Sequence, residues 1–190
     1  SSIDSLNKKG FVHVSQEVSK RDPHAEDQFI PSKPLTLTHP QKDCLERIIH
    51  ATNAPVNSKP LLLHGVTGSG KTEVYLQAIF SVIERGQTAL VLVPEISLTP
   101  QTVARFKRRF AHIQDQVAVL HSHLSGGERF DEWHKIVEGN AKIVIGARSA
   151  LFAPLKKLGL IVVDEEHEGS YKQDSSPRYH CLLYTSDAAD

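Results

Sequence analysis

From Leu35 onward the chain alternates between two hydrophobic periods. Apolar residues three and four apart mark helices, and short unbroken apolar runs mark strands buried on both faces. The first helix is predicted over about Pro40–Thr52, with Leu45, Ile48 and Ile49 on one face. Leu61–Leu63 reads as a short buried strand, and a helix follows from Lys71 to Arg85, where Gly86 ends it. Thr88–Val93 is the next strand. Thr99–Phe110 is a helix whose apolar stripe is Val103, Phe106 and Phe110, and Val117–Leu120 is a strand. Ser125-Gly126-Gly127-Glu128 is a capping box that opens a helix carrying Phe130, Trp133, Ile136 and Val137. Lys142–Ile145 and Leu160–Val163 complete the strands. Strands that alternate with helices predict an α/β fold with a parallel sheet covered by helices on both faces.

The first 34 residues break this pattern. Ser5–Gly10 reads as a helix end stopped by glycine, and Phe11–Val18 as a short strand or a wing hairpin. Arg21–Pro34 is polar and interrupted by prolines, which predicts a linker. The divisions expected are 1–22 as the tail of an upstream domain, 23–34 as linker, and 35–180 as the α/β unit.

Candidate chemistry sits at two strand ends. Gly65-Val66-Thr67-Gly68-Ser69-Gly70-Lys71-Thr72 follows the apolar run Leu61–Leu63 and precedes a helix, which is the context a P-loop requires. Its glycines let backbone N–H groups turn inward, and the positive end of the helix favours phosphate oxygens there. In that role Lys71 reaches the β- and γ-phosphates of a nucleoside triphosphate, and the Thr72 hydroxyl ligates Mg²⁺. Downstream, Leu160–Val163 ends in Asp164-Glu165-Glu166-His167. The carboxyl end of a buried parallel strand is where an open α/β sheet holds its ligand. Asp164 is expected to hold the Mg²⁺, and Glu165 to position and deprotonate an attacking water. With the P-loop, the pair predicts a RecA-like NTPase core that hydrolyses its nucleotide.

Composition narrows the context. A chain of 190 residues and 21.1 kDa can bury one domain's core. Lys plus Arg and Asp plus Glu both number 22, so any contact with nucleic acid must come from local patches. Cys44 and Cys181 are the only cysteines, which argues against a disulfide scaffold and offers no zinc-ligand spacing. No segment reads as a signal peptide or a membrane span, so a soluble, cytoplasmic protein with no membrane partner is expected. Lys107-Arg108-Arg109 reads as a solvated charged face rather than a DNA site, and His121 and His123 as structural or exposed residues.

The motifs together resemble a known family. Gly65–Thr72, Val93–Gln101, Gly146–Pro154, Asp164–His167 and Tyr171–His180 are similar to motifs I, Ia, Ib, II and the aromatic-rich loop of the PriA family, the bacterial replication-restart DNA helicases of superfamily 2. The likeness spans roughly residues 35–180. It implies an ATP-dependent 3′–5′ helicase that binds single-stranded and forked DNA and works with primosome proteins and single-stranded-DNA-binding protein. It also implies that residues 1–22 end a winged-helix domain.

Under this resemblance Gln41 is the adenine-reading glutamine, although Thr38-His39-Pro40-Gln41 also fits a capping box. Thr99, Gln101, Arg148 and Ser149 would touch the DNA backbone, and Tyr171 and Tyr179 would stack on bases. Pro177 stands where some relatives have tryptophan, and His167 would face a second motor domain. The family has that second domain, with an arginine finger, and cysteines that bind zinc; none of these is in this sequence. Cys181–Asp190 departs from the family pattern and is expected to be foreign to the domain. The chain alone is therefore expected to bind ATP without efficient turnover. Two other readings stay open: another superfamily 2 motor, such as a restriction translocase or an RNA helicase, or a nucleotide-binding module that does not hydrolyse.

Overall fold

The computed structural model describes residues 2–13, 30–54, 59–174 and 178–181. Helix α1 (Ser2–Lys8) precedes α2 (His39–Asn53) and α3 (Lys71–Glu84). The order then runs β1 (Thr88–Leu92), α4 (Pro100–Arg109), β2 (Val117–Leu120), α5 (Gly126–Glu138), β3 (Ile143–Gly146) and β4 (Leu158–Val163). Two short strands, β5 (Lys172–Gln173) and β6 (Tyr179–His180), form an antiparallel pair that continues the chain beyond β4.

The main sheet is parallel, in the order β2-β3-β1-β4. Strand β1 lies inside it, pairing Ala89–Leu92 with Ile143–Gly146 on one side and with Leu160–Val163 on the other. Its side chains alternate between two cores, as the pleat demands. Ala89, Val91 and Val93 pack with Tyr75, Leu76, Ile79, Phe106 and Phe110 of α3 and α4. Leu90 and Leu92 pack on the opposite face with Ile136 of α5 and with Tyr171 and Cys181. The expected α/β architecture, a parallel sheet with helices on both faces, is therefore the observed one. Gly146 shows how tight the second face is: a Cβ there would sit 2.7 Å from the Leu120 carbonyl oxygen.

Helix boundaries follow local chemistry. Thr99 caps α4 by accepting the Thr102 N–H at 3.3 Å. Ser125 and Glu128 form the reciprocal box at α5, at 3.3 and 2.8 Å, and Gly139 ends that helix in the left-handed region. Gly10 ends α1 in the same way.

Leu61–Leu63 departs from expectation. It forms no strand, and Leu61 and Leu62 are 54% and 71% exposed. A strand needs a ladder partner, and among the described residues none flanks this run. Among the described residues strand β4 is paired on one edge only, and it is half-buried from Gly159 to Val163, whereas β1, β2 and β3 are fully buried. Residues 14–18 of the expected wing lie outside the described set, as do most of the linker and residues 182–190. Phe11–His13 is not a strand, and Ile3 and Phe11 are exposed. Cys181 is fully buried in the second core, so this residue packs as part of the domain.

Phe106 is 1% exposed, and its ring stacks on Tyr75 with centroids 6.3 Å apart. Phe106→Ala is expected to destabilise the fold by about 3–5 kcal/mol through lost burial and an unfilled cavity. The check is the urea midpoint at constant slope; an unmoved midpoint would mean that α4 does not anchor this core.

Candidate active site

The carboxyl ends of the parallel strands all point one way, so the loops that leave them share one edge. Val93–Gln101 leaves β1, His121–Leu124 leaves β2, Ala147–Phe152 leaves β3 and Asp164–His167 leaves β4. Glu95 shows how closely they meet. A hydrogen bond from the Ser122 hydroxyl, with His123 and Arg148 nearby, holds its carboxyl below the ordinary value.

The glycine-rich loop opens directly into α3. Gly70 caps the helix at φ 82°, and a Cβ on it would lie 2.5 Å from the Gln41 amide nitrogen. The left-handed φ disfavours a larger residue, and the flexible Gln41 amide would have to shift to admit one. Gln41 bridges two elements: its Oε1 accepts the Thr38 N–H at 2.8 Å and its Nε2 donates to the Ser69 carbonyl at 2.9 Å. It therefore makes the glutamine half of the capping box and touches the loop with the same side chain. Lys71 curls back, its Nζ donating to the carbonyls of Gly65 at 2.6 Å and Val66 at 3.1 Å. The ammonium thus lies against the concave side of the loop, held by acceptors that phosphate oxygens can replace.

Asp164 is fixed from three directions. Its N–H donates to the Leu92 carbonyl at 2.9 Å, which continues the ladder past β4. Its Oδ2 accepts the Tyr75 hydroxyl at 3.2 Å, and its carbonyl accepts the Tyr171 hydroxyl at 2.5 Å. Tyr171 also donates to Leu92 O at 3.0 Å. Both phenols have raised pKa values, first because they are buried and then because Asp164 is negative nearby, so both remain donors. Tyr75 also shares a hydrogen bond with the Thr72 side chain. The two expected metal ligands, Thr72 and Asp164, therefore meet at one phenol, and hydroxyl and carboxylate oxygens are donors that suit Mg²⁺.

Glu165 follows in the left-handed region at φ 52°, which is unusual for a residue with a side chain. Its N–H donates to Asp164 Oδ1 at 3.2 Å, and its carboxylate lies 3.6 Å from His167 Nε2. His167 is thus placed against Glu165. Glu165, His167 and Glu168 form an exposed cluster beside Asp164.

The expected DNA-contacting residues divide. Gln101 and Ser149 are exposed, and Thr99 is engaged as a helix cap. Arg148 donates to the carbonyls of Ser170 at 3.3 Å and Lys172 at 2.9 Å, and lies over the Tyr179 ring at 5.5 Å. Tyr179 is half-buried against Phe152, with centroids 5.1 Å apart. Tyr171 does not fit the expected stacking role: at 1% exposure its ring is inside the second core and its hydroxyl is already committed. The expected solvated run is also corrected. Lys107 is buried, and the Arg109 side chain is 7% exposed in an ion pair with Glu73; only Arg108 is exposed. His121 and His123 lie with their rings tilted against each other, centroids 5.9 Å apart, at the end of β2.

Sequence reasoning passed over Tyr75 and Glu95. The only available signal was position, one turn past Thr72 for Tyr75 and just past a strand end for Glu95.

Comparison with known proteins agrees with this geometry. The family model "DEAD/DEAH box helicase" matches residues 38–184. The replication restart protein PriA of Bacillus subtilis (strain 168) is 53% identical over 178 residues, covering 94% of this chain and 22% of the relative. The protein of the same name from Synechocystis is 46% identical over 182 residues, covering 95% and 21%. That from Haemophilus influenzae is 43% identical over 183 residues, covering 92% and 24%. The chain therefore spans about a fifth of the length of these relatives. Its glycine-rich loop, its paired acids on the same sheet edge and the match over most of its length agree: the chain belongs to the DEAD/DEAH box helicase family.

Proposed function

We propose that this chain is the ATP-binding motor unit of a replication-restart DNA helicase, which hydrolyses ATP to move on single-stranded DNA and open forks. The observation that carries the reading is the junction at Tyr75, which links the P-loop helix to Asp164. The PriA names of the relatives support the choice of DNA over RNA and of replication restart over restriction.

Backbone N–H groups of Gly65–Thr72 would cradle the phosphates at the positive end of α3. Lys71 would leave the Gly65 and Val66 carbonyls for the β- and γ-oxygens, and Gln41 would read the adenine while still propping Ser69. Thr72 and Asp164 are the residues to hold Mg²⁺. Bound there, the ion would screen the charge on the phosphate oxygens. Glu165 would take a proton from the water that attacks the γ-phosphorus as the bond to the departing ADP oxygen breaks. Its exposed carboxylate leaves room for that water.

DNA would lie along Val93–Gln101 and Gly146–Ser149, with phosphate contacts from Gln101, Ser149 and Arg148. A route back to the acids is built in. Arg148 grips the carbonyls on either side of Tyr171, and Tyr171 holds the Asp164 carbonyl. DNA that moves Arg148 or Tyr179 therefore bears on the metal-holding residue.

In the longer protein, Lys71→Ala is expected to weaken binding of a fluorescent ATP analogue. Glu165→Gln is expected to keep binding and abolish phosphate release, because an amide cannot accept the proton. Normal hydrolysis by Glu165→Gln would remove Glu165 as the base. Tyr179→Ala is expected to lower DNA-stimulated ATPase more than basal ATPase, while affinity falls by one stacking contact at most, about 1–3 kcal/mol. Titrating single-stranded DNA at fixed salt separates the two effects; an unchanged maximal stimulation would make the β5–β6 segment a mere connector. The 190-residue chain alone is expected to bind ATP–Mg²⁺ weakly and to turn over about 10³–10⁵-fold more slowly than the longer protein, for want of the transition-state arginine. Equal steady-state rates would defeat this.

A further inference from the structure

The last turn of α4 leaves a buried charge with unused capacity. Arg109 Nη2 pairs with the Glu73 carboxylate on α3, and the two side chains are 7% and 9% exposed. Arg109 Nε and Nη1 are also buried, and they have no hydrogen-bond partner among the described residues. Buried donors are rarely left idle, and guanidinium donors least of all.

Arg109 lines a cavity of about 700 Å³. Leu45 of α2, Leu76 and Phe80 of α3, and His112 form its walls, and Pro31–Pro34 crosses it as a strap. This volume and mainly apolar lining match those of a small-molecule site. The cavity is distinct from the phosphate site, since neither Gln41 nor any residue of Gly65–Thr72 lines it. Phe80 lies nine residues past Lys71 on α3, about 13 Å along the helix axis.

The chemistry selects the ligand. A guanidinium fork suits a planar oxyanion, and Lys33 adds a second positive charge to the lining. Glu73 does not oppose this, because its carboxylate is already met by Arg109, by the Leu35 N–H at 3.0 Å and by Gln77 Nε2 at 2.7 Å. We propose that this cavity is a binding site for an amphipathic organic carboxylate, with its head on Arg109 and Lys33 and its apolar body against Leu45, Leu76 and Phe80. Occupancy would bear on the strap. Ser32 N–H donates to the Arg108 carbonyl at 3.0 Å, and Gln77 Nε2 donates to the Leu35 carbonyl at 3.0 Å, so the segment leading into α2 is tied to both walls.

The test is a titration of the ¹⁵N-labelled 190-residue chain with 2-naphthoate, and with neutral 2-naphthalenemethanol beside it. The expected result is saturable one-site binding with shifts at residues 31–35, 76–80 and 109–114. The alcohol should bind about tenfold more weakly or worse, as loss of a charged hydrogen bond implies. Arg109→Lys keeps a charge for Glu73 but loses the fork, and should weaken 2-naphthoate by a similar factor. Phe80→Ala truncates a wall residue that is already 41% exposed, so the fold should survive while affinity falls. A non-hydrolysable ATP analogue should not displace the probe. The proposal is overturned by the absence of saturable shifts, by equal binding of the alcohol, by unchanged affinity in Arg109→Lys with the urea midpoint retained, or by competition with the nucleotide analogue.

Discussion

The site depends on one residue being held from both faces of the sheet. Asp164 stands at the end of β4, with Tyr75 reaching its carboxylate from the α3 side and Tyr171 reaching its carbonyl from the other. Each ring is packed in a different core. Burying an aromatic side chain contributes roughly 2–3 kcal/mol, whereas a single net hydrogen bond contributes about 1 kcal/mol. Ring burial therefore sets where the tyrosines stand, and the hydroxyls convert that placement into direction for Asp164. The carboxylate proposed to hold the metal gains rigidity in this way from cores it does not enter.

The same reasoning explains what was legible in the sequence. The four longer helices and the four strands of the main sheet follow from hydrophobic period and caps, which are local properties. The P-loop and the paired acids were legible because their chemistry requires fixed residue types at fixed spacing. Leu61–Leu63 was misread because an apolar run states only that a segment can be buried; the ladder that makes it a strand comes from elsewhere. Lys107 and Arg109 were misread for the converse reason. A charge run favours solvent unless a partner is buried beside it, and Glu73, the partner of Arg109, lies 36 residues earlier. The family resemblance placed Tyr171 on DNA, but a tyrosine can equally bury its ring and place its hydroxyl on backbone carbonyls, as this one does.

The glycine-rich loop is braced from within the protein. Lys71 satisfies itself on two loop carbonyls, and Gln41 props Ser69 from α2. These contacts brace the curvature of the loop from its own carbonyls and from α2. Gly70 is the position where this arrangement favours glycine, since its φ lies in the left-handed region and a Cβ would press on the Gln41 amide that props Ser69.

With equal numbers of acidic and basic residues, the chain has no global field to draw in DNA, so the DNA affinity proposed above must be local. Arg148 is the cation on the candidate DNA edge that is already committed inside the protein, to the Ser170 and Lys172 carbonyls and the Tyr179 ring. A phosphate that engages it must share those contacts or displace them. Sharing would add affinity and leave Tyr171 unmoved. Displacement would weaken affinity but shift the segment that holds the Asp164 carbonyl. The proposed coupling requires the second behaviour, because only a contact that is exchanged can carry the state of the DNA to the nucleotide.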